Sequence, residues 1–157
     1  MTSGSLLSWF KRRILRDQNE RWNHQYARGK WKQLKDPIEH ARLIACANLL
    51  RRHAPNGDVL EIGCGEAILL RQLTADDYRS WLGVDISDVA VAAAQSFAGE
   101  RVRFVAGDMR TLALHEHYDA IIFTESIYYV SEPAALLKRY ARHLKPGGVF
   151  IISNFEA

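Results

Sequence analysis

The chain has 157 residues, 48% of them hydrophobic and 25% charged, which fits one soluble globular domain and excludes a low-complexity or membrane-spanning protein. Its net charge of +3 is carried at the amino end, where residues 1–30 hold seven Lys or Arg against two acids, a surplus of +5 that leaves −2 for the rest. A body so balanced lacks the clustered basic face of a nucleic-acid-binding domain, and its two cysteines, Cys46 and Cys64, stand in contexts too unlike for a disulfide framework or a metal site.

The first apolar run, near Leu6, is short and breaks at Lys11, so it is no secretory signal, and the reading places the protein in the cytoplasm. Residues 6–16 form a basic amphipathic pattern. It suits either peripheral contact with an anionic membrane surface or a helix docked on protein. Helical patterns continue to about Pro55, with aromatic and basic residues interleaved. Residues 1–55 therefore read as an N-terminal helical segment and lid, and residues 56–157 as an α/β core, one domain overall.

The core alternates short apolar runs with helical stretches, the signature of βα units around a parallel sheet. The first strand is Asp58 to Ile62, followed by the turn Gly63-Cys64-Gly65 and a helix through Leu69, Leu70 and Leu73. The second strand runs from Ser80 to Asp85, with Ser87 as N-cap of the next helix and Gly99 as its stop. A third strand covers Val102 to Ala106 and leads to Gly107-Asp108. The fourth covers Tyr118 to Phe123. A helix opened by Ser131-Glu132-Pro133 presents Leu137, Tyr140, Ala141 and Leu144 on one face and ends at Pro146-Gly147-Gly148. The fifth strand, Val149 to Ile152, and the fourth read as buried on both faces. A doubly wound, Rossmann-like sheet in the order 3-2-1-4-5 follows.

In such a sheet, ligands bind at the carboxyl ends of the strands, where Gly63 and Gly65 let a ligand approach the backbone and the helix start offers free N–H groups. Asp85, 20 residues after Gly65, is placed to accept hydrogen bonds from ribose hydroxyls. A dinucleotide fingerprint requires a third small residue where Ile68 stands, and Glu66 would set an acid near a pyrophosphate. An adenosine cofactor without phosphate meets neither objection.

With these residues in place, the sequence resembles the class I S-adenosylmethionine-dependent methyltransferases. Val59 to Glu66 is similar to the family's first motif, and Gly83-Val84-Asp85-Ile86-Ser87 to its second. Gly107-Asp108-Met109 resembles the adenine-side motif, and Leu144-Lys145-Pro146-Gly147-Gly148 the turn before strand five. The resemblance implies S-adenosylmethionine as cofactor and S-adenosylhomocysteine as product. Gly63, Cys64 and Gly65 would lie against the methionine part, with Glu61 organising its amino group. Asp85 would hold the ribose and Ile86 would pack on the adenine. Asp108 would accept from the adenine amino group beside Met109, and Thr124 would line the methyl-transfer side.

Two departures stand out. Ala67 replaces a glycine common in the family. The C-terminal hairpin of strands six and seven is absent, which would expose strand five as an apolar edge unless an oligomer or partner covers it. The alternative to an active enzyme is accordingly a truncated cofactor-binding fragment, or one completed by a partner. The stretch Trp22 to Trp31, with Glu39-His40-Ala41-Arg42 and Glu125 to Val130, is similar to the nodulation-type N-methyltransferases acting on amino sugars, which implies a small-molecule acceptor with a sugar nitrogen or hydroxyl.

Methyl transfer needs positioning, exclusion of water, and a base where the acceptor carries a proton. Glu125, Tyr128 and Tyr129 are the candidates for acting on the acceptor, although both tyrosines also suit packing at the sheet end. Tyr26 and Trp31 suit a lid over the cofactor, or a helix packed on the sheet. His115 and His117 flank Glu116 without a third ligand at metal spacing, so no metal is expected.

Overall fold

The computed structural model describes residues 18–35 and 37–154. Residues 6–16, with their amphipathic pattern, lie outside the described residues. The described chain opens with helix α1 (18–27), a 3₁₀ turn at Lys32–Lys35, and helix α2 (Pro37–His53). Strands β1 (Gly57–Ile62) and β2 (Tyr78–Asp85), helix α3 (Asp88–Ala94) and strands β3 (Val102–Ala106) and β4 (Tyr118–Thr124) follow, then helix α4 (Pro133–Tyr140) and strand β5 (Leu144–Ser153). The five strands are all parallel, in the expected order β3-β2-β1-β4-β5.

Two apolar layers sandwich the sheet. On one face, Leu43, Cys46, Ala47 and Leu50 of α2, at helical spacing, meet Val59, Trp81, Ala120 and Ile122, with Val91 and Ala94 of α3 in the same cluster. On the other, Leu136 and Tyr140 of α4 pack with Leu60, Ile62, Ile121 and Phe123. Leu50 is fully buried, so truncating it to alanine costs about 2–5 kcal/mol. Ser87 caps α3 as anticipated, its hydroxyl accepting from the Ala90 N–H at 3.2 Å.

Three expectations fail locally. No α-helix follows the glycine turn: residues 65–69 form turns, and only Leu70–Gln72 closes as a 3₁₀ turn. Ala67 explains this, because its φ of +59° is left-handed and cannot continue a right-handed helix. The face of α4 is also displaced, with Leu136 and Tyr140 buried and Leu144 already in β5. Finally, β5 is not buried on both faces: Ile151 is its single buried residue, and Ile152 is 40% exposed. The reason is its place at the edge, since among the described residues no strand pairs with its outer side.

Candidate functional site

The strand order places the carboxyl ends of β1 and β4 side by side, and the chain after each must turn away. Gly63 makes the first turn at a φ of +82°, where an added Cβ would come 2.5 Å from that of Ser126. Ser126 itself follows β4 and donates to the Ile62 carbonyl at 2.7 Å, which fastens the two strand ends together. The backbone N–H groups of Gly63 and Cys64 both donate to the Val84 carbonyl, that of Gly65 to Asp85, and that of Ala67 to the Cys64 carbonyl. Four of the N–H groups at this turn are therefore already bonded.

Asp85 is buried. Its Oδ2 accepts from Gly65 at 2.9 Å and its Oδ1 from the Ser87 N–H at 2.8 Å. Burial pushes its carboxyl above the usual range against the backbone N–H groups of Ser87, Gly65 and Ile86. The Gly107 N–H donates to the Asp85 carbonyl at 2.8 Å, so the acid after β3, Asp108, stands next to the acid that ends β2.

A cleft of about 630 Å³, measured to its open mouth, lies between these turns. Gly63, Asp85, Ile86, Asp108, Met109, Glu125, Tyr129 and Tyr26 line it. The sequence gives no role to several further wall residues, among them Gln18, Trp22, Arg110 and Ser126. Trp22 and Ser126 lie within stretches that carry the family resemblance, and no periodicity marks Gln18 or Arg110.

A second, smaller cavity of about 350 Å³ holds Glu61, Thr124, Cys64, Arg42 and Glu125, the last shared with the main cleft. Glu61 is 1% exposed. The Thr124 hydroxyl donates to its Oε1 at 3.1 Å, while Oε2 is buried without a hydrogen-bond partner. The Trp81 indole N–H approaches without hydrogen-bond geometry. Burial chiefly, with the charge of Asp85 adding, raises the Glu61 carboxyl to about 8 against the Thr124 bond. Arg42, quoted in a motif but given no role, brings a guanidinium from α2 to within 3.8 Å of Glu125.

Glu125 has a φ of +49°, a strained setting for a side chain with a Cβ. Its carboxylate accepts from the Ser153 hydroxyl and from the Tyr128 hydroxyl, the latter at 3.4 Å. The Tyr128 and Tyr129 rings are tilted by 49° with centroids 4.5 Å apart, and Tyr129 meets Trp22 edge-on at 4.9 Å. Both tyrosines are 45% exposed, and Tyr129 but not Tyr128 is on the cleft wall.

Tyr26 lies over the glycine turn, its hydroxyl 2.8 Å from where a Cβ on Gly65 would stand. Trp31 is not on the cleft wall: it stacks on Trp22 at 5.5 Å and supports it from behind. The Cys64 side chain is likewise turned into the core cluster, where burial drives its thiol well above the usual range and leaves it unreactive. Helix α1 is fixed on the sheet by Asn23, whose Oδ1 accepts from the Ser87 hydroxyl at 2.7 Å, and by Asn19, which donates to Asp88. In the loop before β4, Glu116 pairs with Arg103 and the His117 ring faces His143 at 6.0 Å. Among the described residues no group of three His, Cys, Asp or Glu is placed to hold a metal.

Comparison with known proteins agrees with this geometry. Residues 59–148 match the family model described as a methyltransferase domain. The chain is 31% identical over 112 residues to a ubiquinone biosynthesis O-methyltransferase of Nitrosospira multiformis, covering 67% of this chain and 46% of that protein. It is 31% identical over 132 residues to nodulation protein S of Azorhizobium caulinodans, covering 82% and 63%. A structure of an S-adenosylmethionine-bound amino pentose methyltransferase from Micromonospora echinaspora superposes with a TM-score of 0.63 at 26% identity, covering 74% and 51%. The chain thus spans roughly half the length of the relatives it matches. With 59–148 matched and the sheet in the order that builds this cleft, the chain belongs to the methyltransferase-domain family.

Proposed function

We propose that the chain is a methyltransferase that binds S-adenosylmethionine across the two cavities and methylates a small-molecule acceptor at a sugar nitrogen or hydroxyl. The observation that carries this reading is Glu61 Oε2, a buried oxygen lacking a hydrogen-bond partner at the end of β1. Such an atom is costly unless a ligand donor satisfies it, and an α-ammonium group supplies both proton and charge. Thr124 holds the other oxygen and sets the carboxyl plane, while Arg42, in the same cavity, offers a cation for the α-carboxylate.

The remaining wall suits an adenosine. A carboxylate has about four acceptor sites, so Asp85 keeps two for vicinal ribose hydroxyls after binding Gly65 and Ser87. Ile86 and Met109 give apolar cover for the base, and Asp108 an acceptor for its amino group. Gly63 and Gly65 leave room for the chain of the cofactor, and Cys64 contributes backbone alone. The N–H groups of Gly63, Cys64, Gly65 and Ala67, already bonded, leave fewer donors for the pyrophosphate of a dinucleotide.

When bound, the cofactor would supply an electrophilic methyl on a sulfonium, the acceptor's lone pair bonding to the methyl carbon as the C–S bond breaks and S-adenosylhomocysteine leaves. Trp22, Tyr26 and Tyr129, with Trp31 behind them, screen the cleft from water. Glu125 and Tyr128 orient the acceptor at the mouth, and the Glu125 carboxylate is the group able to take its proton. The relatives' named activities, an O-methyl transfer in ubiquinone biosynthesis and methylation of an amino pentose, set the two acceptor chemistries to try first. Both cysteines are unpaired and buried, which supports a reducing cytoplasmic setting, and no helix among the described residues is long and apolar enough to cross a membrane.

The test incubates the chain with methyl-labelled S-adenosylmethionine and a panel of amino sugars and hydroxylated acceptors. Label is expected on at least one acceptor, with a loss of about 10²-fold or more in Glu125→Gln. An absence of both transfer and S-adenosylhomocysteine binding contradicts the reading.

A further inference from the structure

Among the described residues that line the main cleft, Arg110 is the one lysine or arginine, and the assignment above gives it no task. It lies two residues beyond Asp108 and folds back onto it. Its Nε donates to Oδ1 at 2.9 Å and to Oδ2 at 3.1 Å, its Nη2 donates to Oδ2 at 2.5 Å, and its backbone N–H donates to Oδ1 at 2.8 Å. The same Nη2 reaches Gln18 Oε1 of α1 at 2.6 Å.

The backbone that aims this fork is itself fastened. Arg139 of α4 donates to the carbonyls of Met109, Arg110 and Leu112, and the Tyr140 hydroxyl donates to the Met109 carbonyl at 2.9 Å. A guanidinium fork fixes both the position and the plane of a carboxylate, which a single point charge does not. Of the roughly four acceptor sites on the Asp108 carboxylate, Arg110 takes both on Oδ1 and shares Oδ2. One directed acceptor site remains, on Oδ2.

We propose that Arg110 is a positioning residue that sets nucleobase selectivity, making the site prefer a 6-amino purine to a 6-oxo purine by holding the Asp108 carboxylate in one plane. The inference rests on the cofactor reading of this cleft. An exocyclic amine gives a proton to the remaining acceptor site, whereas a 6-oxo group meets it oxygen to oxygen and leaves both unsatisfied. Sites built to hydrogen-bond a ligand N–H reject the analogue lacking it strongly. That rejection depends on a fixed acceptor. Without the fork, the Asp108 side chain, 13% exposed at the cleft wall, is free to rotate and take water instead. Through Gln18 the same guanidinium joins the base-reading turn to α1.

The experiment compares dissociation constants for S-adenosylhomocysteine and its 6-oxo analogue, S-inosylhomocysteine, in the full chain and in Arg110→Ala, Arg110→Gln, Arg110→Lys and Asp108→Asn. The wild type is expected to favour the amino form by about tenfold or more, and Arg110→Ala to compress that ratio to within about threefold. Arg110→Gln keeps the side-chain stem without the fork and gives the same compression if the alanine variant is poorly folded. Arg110→Lys, a charge without a fork, falls between. A wild-type ratio retained in Arg110→Ala or Arg110→Gln, even with both ligands bound more weakly, makes Arg110 a mere staple of the turn and overturns the inference. A ratio unchanged in Asp108→Asn, or no binding by the wild type, overturns instead the cofactor reading beneath it.

Discussion

The backbone N–H of Gly65 donates to Oδ2 of Asp85 across 2.9 Å, so the turn that ends β1 is built on the acid that ends β2. One side chain thereby serves the fold and faces the cleft. Replacing it affects both. Asp85→Ala is expected to weaken S-adenosylhomocysteine binding by about 1–3 kcal/mol and to lower Tm as well, because a buried N–H loses its acceptor. Calorimetric titration and thermal unfolding of the same preparation check the pair. Unchanged affinity with a lowered Tm would assign Asp85 to the turn alone.

Glu61 is costly to the fold at alkaline pH. Its folded carboxyl, raised to about 8 from an ordinary 4.5, is neutral in the fold. A raised acid contributes stability that is complete below the unfolded value and is lost as pH climbs through about 8. Glu61→Gln removes that titration. The variant is expected to match the wild type in Tm below about pH 5 and to exceed it by several degrees above about pH 8. Parallel melting curves across the range would contradict the raised carboxyl.

Glu125 carries backbone strain at a φ of +49°. Comparing Glu125→Gly with Glu125→Ala isolates it, since both lose the carboxylate and only glycine relaxes the left-handed backbone. Glycine is expected to be the more stable variant by about 1 kcal/mol in chemical denaturation, with methyl transfer lost in both. Equal stabilities would mean the strain is relieved elsewhere.

Helix α1 is held to the core through Asn23, which accepts from both the Ser87 hydroxyl and the Val89 N–H. Asn23→Ala is expected to speed amide hydrogen exchange across residues 18–27 about tenfold, with β1 and β4 unchanged. Exchange rising equally in the strands would make Asn23 a determinant of global rather than local stability.

The sheet order, the first turn and the capping by Ser87 were legible because short apolar strands and a β-region cap leave strong local patterns. The helix after the turn was not, because Ala67 takes a left-handed conformation that its side chain does not announce. Burial of β5 was overestimated for a different reason: an apolar run records what a strand is able to bury and says nothing of whether a neighbour pairs with its outer edge. At the site, the glycine turn and the acid 20 residues after it marked Gly63, Gly65 and Asp85, and the family resemblance marked Asp108. Arg42 and Arg110 escaped because each acts through a contact that no period encodes, one across α2 to Glu125 and one within a three-residue turn. Trp31 carried the right chemistry one layer too far out.

The central claim, that buried Glu61 awaits the ammonium of an adenosyl amino acid, is tested most directly by titrating the chain with S-adenosylhomocysteine near neutral pH in two buffers of unlike ionisation enthalpy. Neutral Glu61 must ionise to meet an ammonium, so the account predicts one saturable site whose binding releases up to one proton, a release that Glu61→Gln abolishes. Titrations without saturable heat, or with the same proton release in Glu61→Gln as in the wild type, would contradict it.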